Sequence, residues 1–476
     1  MAISAQGIGS GLDVNSIVTQ LVAIEKQPLK PLQAKATALQ SQLSLYGTLK
    51  SQASTLGDAA AALAGSSLWN TQIATSSNTA AVGVTAGSTA TAQSLSVQVS
   101  QLARAQSAAS TGVTAGTAVG VAGTLTFQLG AWAGVSTALG FTAGASASVD
   151  VAVAATDTMS NIATKINAAS AGVTATVLRD GANERLVVRS TATGADTGFS
   201  VTTAGDAALS MFAVTGTIDS TNSAPASGMF MSQTAQDAKL KLNGVDVVSA
   251  SNSLTNVITG ISLQLSQITS SAVEVVIAND VEAIKKGVQT FADAYNAMNQ
   301  TLADSTKYDA AAKKGGLLQG DAVTVGLQTA LRAMLGSASV GSTFARLSDI
   351  GLERQTDGSL KVNASRLTTA TTDMVNLKKL FTTDNADVAT NGFGIKVRDF
   401  ARGLVASDGR VSSKAKALQG SITRNSTEQD RVNERASRVE VDLRRQYTAL
   451  DAQMAQISGL SSYVTAQLAQ WNKPTS

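Results

Sequence analysis

The sequence lacks both cysteine and histidine in all of its 476 residues. Their absence excludes disulfides, thiolate chemistry, Cys/His zinc sites and every catalytic triad that uses imidazole as its base. Catalysis, if there were any, would fall to carboxylates, Lys, Tyr or Ser/Thr. Asp384 and Asp387 offer oxygen ligands but lack the spacing and the Gly of a calcium loop, so neither a metal site nor a cofactor is expected.

Aromatic and charged residues are also scarce, at 4% and 14% of the chain, and the net charge is only +3. These values favour neither a polyelectrolyte binder nor an aromatic stacking platform, so nucleic acid is not expected as a partner. The hydrophobic share of 44%, with only four prolines, is typical of a folded chain. A length of 476 residues predicts about three domains.

One long stretch, residues 105–149, has no charged residue at all and is long enough to span a bilayer. Gly, Ser and Thr dilute it, and Leu125, Phe127 and Leu129 alternate with polar residues, which favours β-structure over membrane insertion. The first eleven residues lack the basic and apolar regions of a cleaved signal peptide, so no such signal is expected.

The N-terminal part is helical in its spacing. Apolar residues recur three and four positions apart over residues 12–63, with Leu32, Leu39, Leu43 and Leu56 among them. Pro28 and Pro31 separate this helix from a shorter amphipathic segment marked by Ile17, Leu21 and Ile24, because proline belongs in a first turn and not inside a helix.

Residues 71–280 have the pattern of short strands and turns. Leu95, Val97 and Val99 alternate with polar residues, as do Val273, Val275 and Ile277, which predicts half-buried strands. Asn243-Gly244 is a strong hairpin signal, and Asp180-Gly181 is a second candidate. One helix is predicted in this region, over 159–169, with Thr158 as its cap.

Helical spacing returns after Asn279. One helix is predicted from Val281 to Leu302 and another over 321–335. The last predicted helix has an apolar stripe with one change of phase after Leu443. Its members are Val432, Ala436, Val439, Leu443, Tyr447, Leu450, Met454, Ile457, Ser461, Val464, Leu468 and Trp471.

Neither terminal helix can bury its stripe alone, so the two should pair with each other or with neighbouring chains. The β-rich middle is then an insertion between two halves of a helical module. The predicted fold is α+β and multidomain, with a terminal α-helical coiled-coil stalk and inserted antiparallel β-rich head domains.

No motif predicts an enzyme. Gly7, Gly9 and Gly11 lack the preceding strand and the Gly-Lys-Ser/Thr of phosphate loops, so a turn is preferred. The carboxylate pairs 349/353, 384/387 and 430/434 are typical of surface charges and not of a glycosidase cleft. Five arginines between 431 and 445 form either a solvated helix face or the lining of an interface.

The opening Gly7-Ile-Gly-Ser-Gly-Leu-Asp-Val-Asn-Ser-Ile-Val-Thr-Gln-Leu-Val-Ala-Ile-Glu25 resembles the N-terminus of the bacterial flagellar filament cap proteins, the hook-associated protein 2 or FliD family. Met159-Ser-Asn-Ile-Ala-Thr-Lys-Ile166, followed by Gly172-Val-Thr-Ala-Thr-Val177, resembles the hook IN motif of that family. Five further segments continue the match into its C-terminal half: Ala292–Asn296, Leu317–Asp321, Ser348–Gly351, Asp357–Leu360 and Ser461–Tyr463.

With this resemblance, the chain is expected to divide into nested parts. Residues 1–40 and 436–476 would be leg segments that are mobile in the free subunit, and 41–70 with 281–435 the helical stalk domain. Residues 71–107 and 233–280 would form one β-rich head domain. Residues 108–232 would form an inserted head domain that contains the IN-type motif.

The resemblance implies a ring of subunits at the distal tip of the filament, which retains exported flagellin and promotes its folding and polymerisation. It also implies secretion through the flagellar type III apparatus, a hook–filament junction protein as neighbour and a FliT-type export chaperone. Legs built from the two termini would contact the filament end. The expected contact residues are Ile17, Leu21, Ile24, Leu450, Met454, Ile457, Val464 and Leu468.

Two other hypotheses stay open at this point. The chain could be another axial flagellar protein, such as a junction protein or flagellin, although the 13–25 segment together with the IN motif favours the cap. It could also be an adhesin whose Ala/Gly/Thr/Ser-rich head binds mucin or host glycans, a role that is compatible with a place at the tip.

Overall fold

The structure is a computed structural model, and it describes residues 13–135, 138–216, 228–311 and 313–471. The chain divides into two compact units. Unit 1 combines residues 1–68 with residues 281–476, and unit 2 is the intervening segment 69–280. The Gly7, Gly9 and Gly11 turn lies outside the described residues.

The helices, in chain order, are α1 (Val14–Glu25), α2 (Leu29–Ala64), α3 (Ser66–Trp69), α4 (Met159–Ala169), α5 (Val281–Thr306), α6 (Ala322–Leu335), α7 (Ala364–Ala370), α8 (Met374–Thr382), α9 (Phe393–Val405) and α10 (Arg410–Trp471).

The strands are β1 (Gln72–Ser76), β2 (Val82–Ala86), β3 (Gln93–Gln101), β4 (Ser107–Ala109), β5 (Val113–Thr114), β6 (Gly123–Val135), β7 (Ala138–Ala143), β8 (Val149–Val153), β9 (Val173–Asp180), β10 (Asn183–Ser190), β11 (Gly198–Gly205), β12 (Phe230–Gln233), β13 (Ala238–Leu242), β14 (Val245–Ser249), β15 (Ser253–Ile258), β16 (Ile261–Leu265), β17 (Val273–Asn279), β18 (Tyr308–Asp309), β19 (Lys314–Gly315), β20 (Leu352–Arg354) and β21 (Leu360–Val362).

Unit 1 is mainly helical, with two small two-stranded sheets, and is built around the C-terminal half of α2. That half packs against α5, α9 and the start of α10. The largest side chains of this core are fully buried: Tyr46, Leu49, Leu56, Leu63, Phe291, Tyr295, Phe381 and Phe393. The break between α1 and α2 falls at residues 26–28, where Pro28 precedes the first turn of α2 as the sequence predicted. The predicted helices at 281–302 and 321–335 are confirmed as α5 and α6.

Unit 2 is antiparallel throughout its described ladders and contains two hydrophobic cores. The first core lies beneath the five-stranded sheet β1-β17-β3-β13-β14 and the three-stranded sheet β15-β16-β2. Leu95, Val97 and Val99 of β3 point into it, as do the alternating residues of β17. The predicted period-two burial is therefore confirmed for both strands.

The second core of unit 2 lies within residues 108–231, where α4 packs against two sheets. One sheet has the strand order β12-β4-β10-β5, and β9 also pairs with β10. The other has the order β11-β6-β7, and β8 also pairs with β6. Helix α4 has the bounds that its pattern predicted, and Thr158 caps it by accepting a hydrogen bond from the Asn161 backbone N–H. The side chain of Asn167 bonds both the N–H and the C=O of Ala175, which fastens α4 to β9. The 105–149 stretch contributes β6, β7 and the start of β8, so the preference for β-structure there is confirmed.

The two hairpins predicted from dipeptides are both present. Asn243 and Gly244 connect β13 to β14 with φ values of 50° and 85°, the pair of positive φ angles that a type I′ turn requires. Gly181, with φ 63°, begins the two-residue connection between β9 and β10.

Two glycine substitutions should have opposite effects on stability, although a Cβ meets no atom within 4 Å at either site. Gly47→Ala, inside α2, should raise the free energy of unfolding by about 0.5–1 kcal/mol because glycine is a poor helix former. Gly244→Ala should lower it by about 1 kcal/mol because alanine is strained at positive φ. Urea unfolding of the full chain measures both changes. If both substitutions changed the free energy of unfolding in the same direction, the conformational explanation would be contradicted.

The fold class is confirmed as α+β: α2 packs on α9 and α10, and antiparallel sheets lie between these helices in the sequence. The finer division into leg segments, stalk and two head domains stays a prediction.

Candidate functional site

Helix α10 has a continuous stripe of residues spaced three and four apart. Near its start Val411 and Leu418 are buried in the core of unit 1, and Ala436 is buried farther along. Beyond Tyr447 the same stripe continues through Leu450 to Leu468, but there it faces solvent. From residue 452 to residue 470 every side chain is exposed. An apolar stripe of this length normally packs against another helix.

The expected contact residues share one property, which is an accessible side chain. Exposure of those in α10 ranges from 39% for Met454 to 59% for Ile457. In α1, Ile24 is 57% exposed and Leu21 is 36% exposed, whereas Ile17 is half-buried. The structure thus places these apolar residues of α1 and α10 where a partner can reach them. Their role as filament contacts stays a prediction.

A second face of α1 escaped the sequence prediction. Val14, Val18 and Val22 are buried and form a small separate core with α10. Their partners on α10 are Ala436, Leu443 and Tyr447. The i, i+4, i+8 spacing of the three valines was the signal that could have revealed this face.

Polar contacts fix the direction of α1 along α10. The Arg435 guanidinium lies 3.0 Å from the carboxylate of Glu25 at the end of α1. Arg444 donates to the side-chain oxygen of Asn15 near its start, at 3.1 Å. The two helices are therefore antiparallel, and two members of the arginine group line a contact within the chain.

A partly buried polar network holds the base of α10. Asp321, the N-cap of α6, accepts hydrogen bonds from the Tyr46 hydroxyl at 2.5 Å and from the N–H and hydroxyl of Thr324. Its second oxygen lies 2.6 Å from the Lys414 ammonium. The network therefore connects α2, α6 and α10 at one point.

The contacts within this network determine the protonation states of Asp321 and Tyr46. Burial alone would raise the pKa of Asp321, but the bonds from Lys414, Tyr46 and Thr324 outweigh burial and lower the pKa to about 2. Burial and the Asp321 acceptor raise the pKa of Tyr46 above its ordinary range. A neutral phenol thus donates to a carboxylate that is ionised at physiological pH.

Residues of two of the three carboxylate pairs perform structural tasks. Asp349 accepts from the backbone N–H groups of Ala345 and Arg346, and Glu353 pairs with Arg366. Asp387 caps a short turn by accepting from the Ala389 N–H. Within the described residues, no three Asp or Glu side chains converge on a possible metal position. No helix in the described ranges has the length and hydropathy of a membrane span.

Two family models match the chain at its two ends. The model of the flagellar hook-associated protein 2 N-terminus matches residues 10–106, and that of its C-terminus matches residues 235–459, together about two thirds of the sequence. The chain belongs to the flagellar hook-associated protein 2 (FliD) family. A further model, the flagellin hook IN motif, matches residues 139–192, which contain α4 and β9, so the IN-type motif is confirmed.

Members of the FliD family resemble the chain along nearly its whole length. Flagellar hook-associated protein 2 of Escherichia coli K12 is 29% identical over 482 residues, which cover 98% of each chain. Its counterpart from Salmonella typhimurium is 29% identical over 488 residues, or 99% of each. The crystal structure of the D1-D2-D3 domains of the Escherichia coli flagellar cap protein FliD matches with a TM-score of 0.57 and 27% identity. That match covers 79% of this chain and 99% of the other.

These relatives confirm the resemblance seen in the sequence. The FliD family consists of structural flagellar cap proteins and not of enzymes, and its members are located at the flagellum.

Proposed function

We propose that this chain is exported by the flagellar type III apparatus and caps the distal tip of the filament as a homo-oligomeric ring. The ring retains exported flagellin and promotes its folding and polymerisation, so that filament growth and motility depend on it. The observation that supports this proposal most directly is the exposed stripe of α10, because a soluble subunit gains nothing from nineteen consecutive exposed helical residues unless a partner covers them.

In this proposal the legs consist of α1 and the last part of α10. Ile17, Leu21 and Ile24 contact the filament from α1, and Leu450, Met454, Ile457, Val464 and Leu468 contact it from α10. Small and medium apolar side chains can pack in alternative ways more readily than a closely fitted core can. Such a stripe can therefore rebind as each new flagellin subunit is added.

The remaining parts of the proposal concern assembly. Residues 71–107 with 233–280, and residues 108–232, are the two head domains of each subunit, and the head domains together form the plate of the ring. A closed ring requires two different contact patches on each subunit, because its interfaces are heterologous. A junction protein and a FliT-type chaperone are the further partners proposed, with the chaperone bound to the C-terminal helix before export.

The decisive experiment removes the chain from its own bacterium and measures flagellin in the culture supernatant together with filament length. We expect monomeric flagellin in the medium and hooks without filaments, with both defects reversed by complementation. Hooks should still carry their junction proteins. Filaments of normal length combined with lost adhesion would reject the cap and favour a head that binds mucin or host glycans.

A further inference from the structure

The N-terminal half of α2 pairs with the middle of α10 much less tightly than the C-terminal half packs in the core. No residue of α2 before Tyr46 is fully buried, although Leu32, Leu39 and Leu43 are half-buried. Asp321 bonds both Lys414 of α10 and Tyr46 of α2, and Arg435 of α10 forms an ion pair with Glu25 just before α2. Helices α2 and α10 therefore run antiparallel. We call residues 13–45 and 419–471 the distal arm.

One side chain of α10 is out of place in this arm. Between residues 419 and 435 the only fully buried side chain is that of Asn425, which is 2% exposed. It occupies the stripe between two half-buried apolar residues, Ile422 and Val432. A polar residue thus lies where the spacing calls for an apolar one.

The hydrogen bonds of Asn425 are incomplete. Its side-chain oxygen accepts from Gln429 Nε2 at 2.7 Å. Its side-chain nitrogen is buried and has no hydrogen-bond partner. When the two helices separate, water can solvate that amide, so burying it without a partner disfavours the closed pair.

We propose that Asn425 is a weak layer built into the α2–α10 pair, which allows the distal arm to open while the base stays closed. The base is held by the Asp321 network and by buried Val411 and Leu418. The arm is held by half-buried leucines and by the small α1 core. Opening therefore stops at the base, and it carries the exposed stripe of α10 with it.

The consequence for assembly rests on the proposed function: an arm that opens lets a leg release one filament position and bind the next. The opening itself is a property of the isolated chain. It can be measured without a filament, so failure of the cap proposal and failure of this proposal are distinguishable.

Hydrogen exchange followed by mass spectrometry on the purified full chain tests the proposal. Asn425→Leu should slow exchange of peptides from residues 29–42 and 419–431 by about tenfold or more, because the unpartnered amide no longer favours opening. Peptides from the base, such as 46–64, should be unchanged. If the leucine variant fails to fold, Asn425→Met replaces it, because methionine is unbranched and adapts to the available space. The same slowing of exchange is expected.

Val432→Leu is the matched control, because it enlarges an apolar side chain of the same stripe without removing an amide. It should change exchange in these peptides by less than about threefold. Unchanged or faster exchange in both Asn425 variants would overturn the proposal. So would an equal slowing in the Val432→Leu chain, since packing alone would then explain the effect.

Discussion

A chain truncated after Ala449 should fold as stably as the full chain and yet fail to rescue filament growth. The removed part of α10 includes residues 452–470, whose side chains are all exposed, so its loss removes little packing from unit 1. We expect the free energy of unfolding to change by less than about 0.5 kcal/mol. Urea unfolding checks stability, and complementation of a strain lacking the chain checks capping.

The outcome of this truncation separates two views of the stripe. If the truncated chain restored filaments, residues 450–468 would not be leg contacts. If it failed to fold, the exposed segment would be needed for the core, contrary to the accessibility of its side chains.

Paired charge substitutions refine the same prediction without shortening the helix. Ile457→Glu with Val464→Glu places two carboxylates on the stripe and should abolish rescue, because an apolar contact would have to bury them. Gln456→Glu with Gln467→Glu adds the same charge away from the stripe and should leave rescue intact. Equal loss in both pairs would show that net charge and not the stripe is responsible.

Removing the Asp321 carboxylate should destabilise the chain strongly. Asp321→Ala removes the acceptor 2.5 Å from the buried Tyr46 hydroxyl, which then keeps only the 3.2 Å contact with the Thr324 hydroxyl, and it leaves Lys414 without this carboxylate. We expect a loss of about 3 kcal/mol in the free energy of unfolding. Asp321→Asn, which can still accept from Tyr46 and Thr324, should lose about half as much. Urea unfolding at pH 7 measures both.

The pH dependence of this loss has a definite sign. The folded-state pKa of Asp321 is about 2, below its ordinary 3.8, so its ionised form stabilises the fold above about pH 4. That contribution, roughly 2 kcal/mol, disappears as the pH falls through about 2. The stability difference between the unaltered chain and Asp321→Asn should therefore shrink between pH 5 and pH 2. A constant difference would contradict the charge pairing.

Local signals in the sequence predicted local structure well. The bounds of α4 follow from Thr158 and the Ile162/Ile166 spacing, and the β13–β14 turn follows from Asn243-Gly244. Each signal lies inside the element that it specifies. For this reason no knowledge of distant contacts was needed.

Two features could not be predicted from the sequence, the start of the last helix and a hydrogen bond between distant residues. The sequence stripe placed the last helix from Val432 onward, but α10 begins at Arg410. Ala415, Asn425 and Gln429 conceal the earlier part of the stripe, because small and polar residues do not register as apolar periodicity. The bond between Tyr46 and Asp321 joins positions 275 residues apart, and no spacing rule reaches that far.

The length of α10 makes it a lever. About 75 Å of helix separate Leu418, its last buried residue near the base, from Leu468 near its tip, at 1.5 Å per residue. A tilt of about 5° at the base therefore moves the tip by about 6.5 Å, which exceeds the 5.4 Å pitch of a helical turn. In the proposed cap, a rotation of a few degrees at the base would therefore move the tip from one turn of a neighbouring helix to the next.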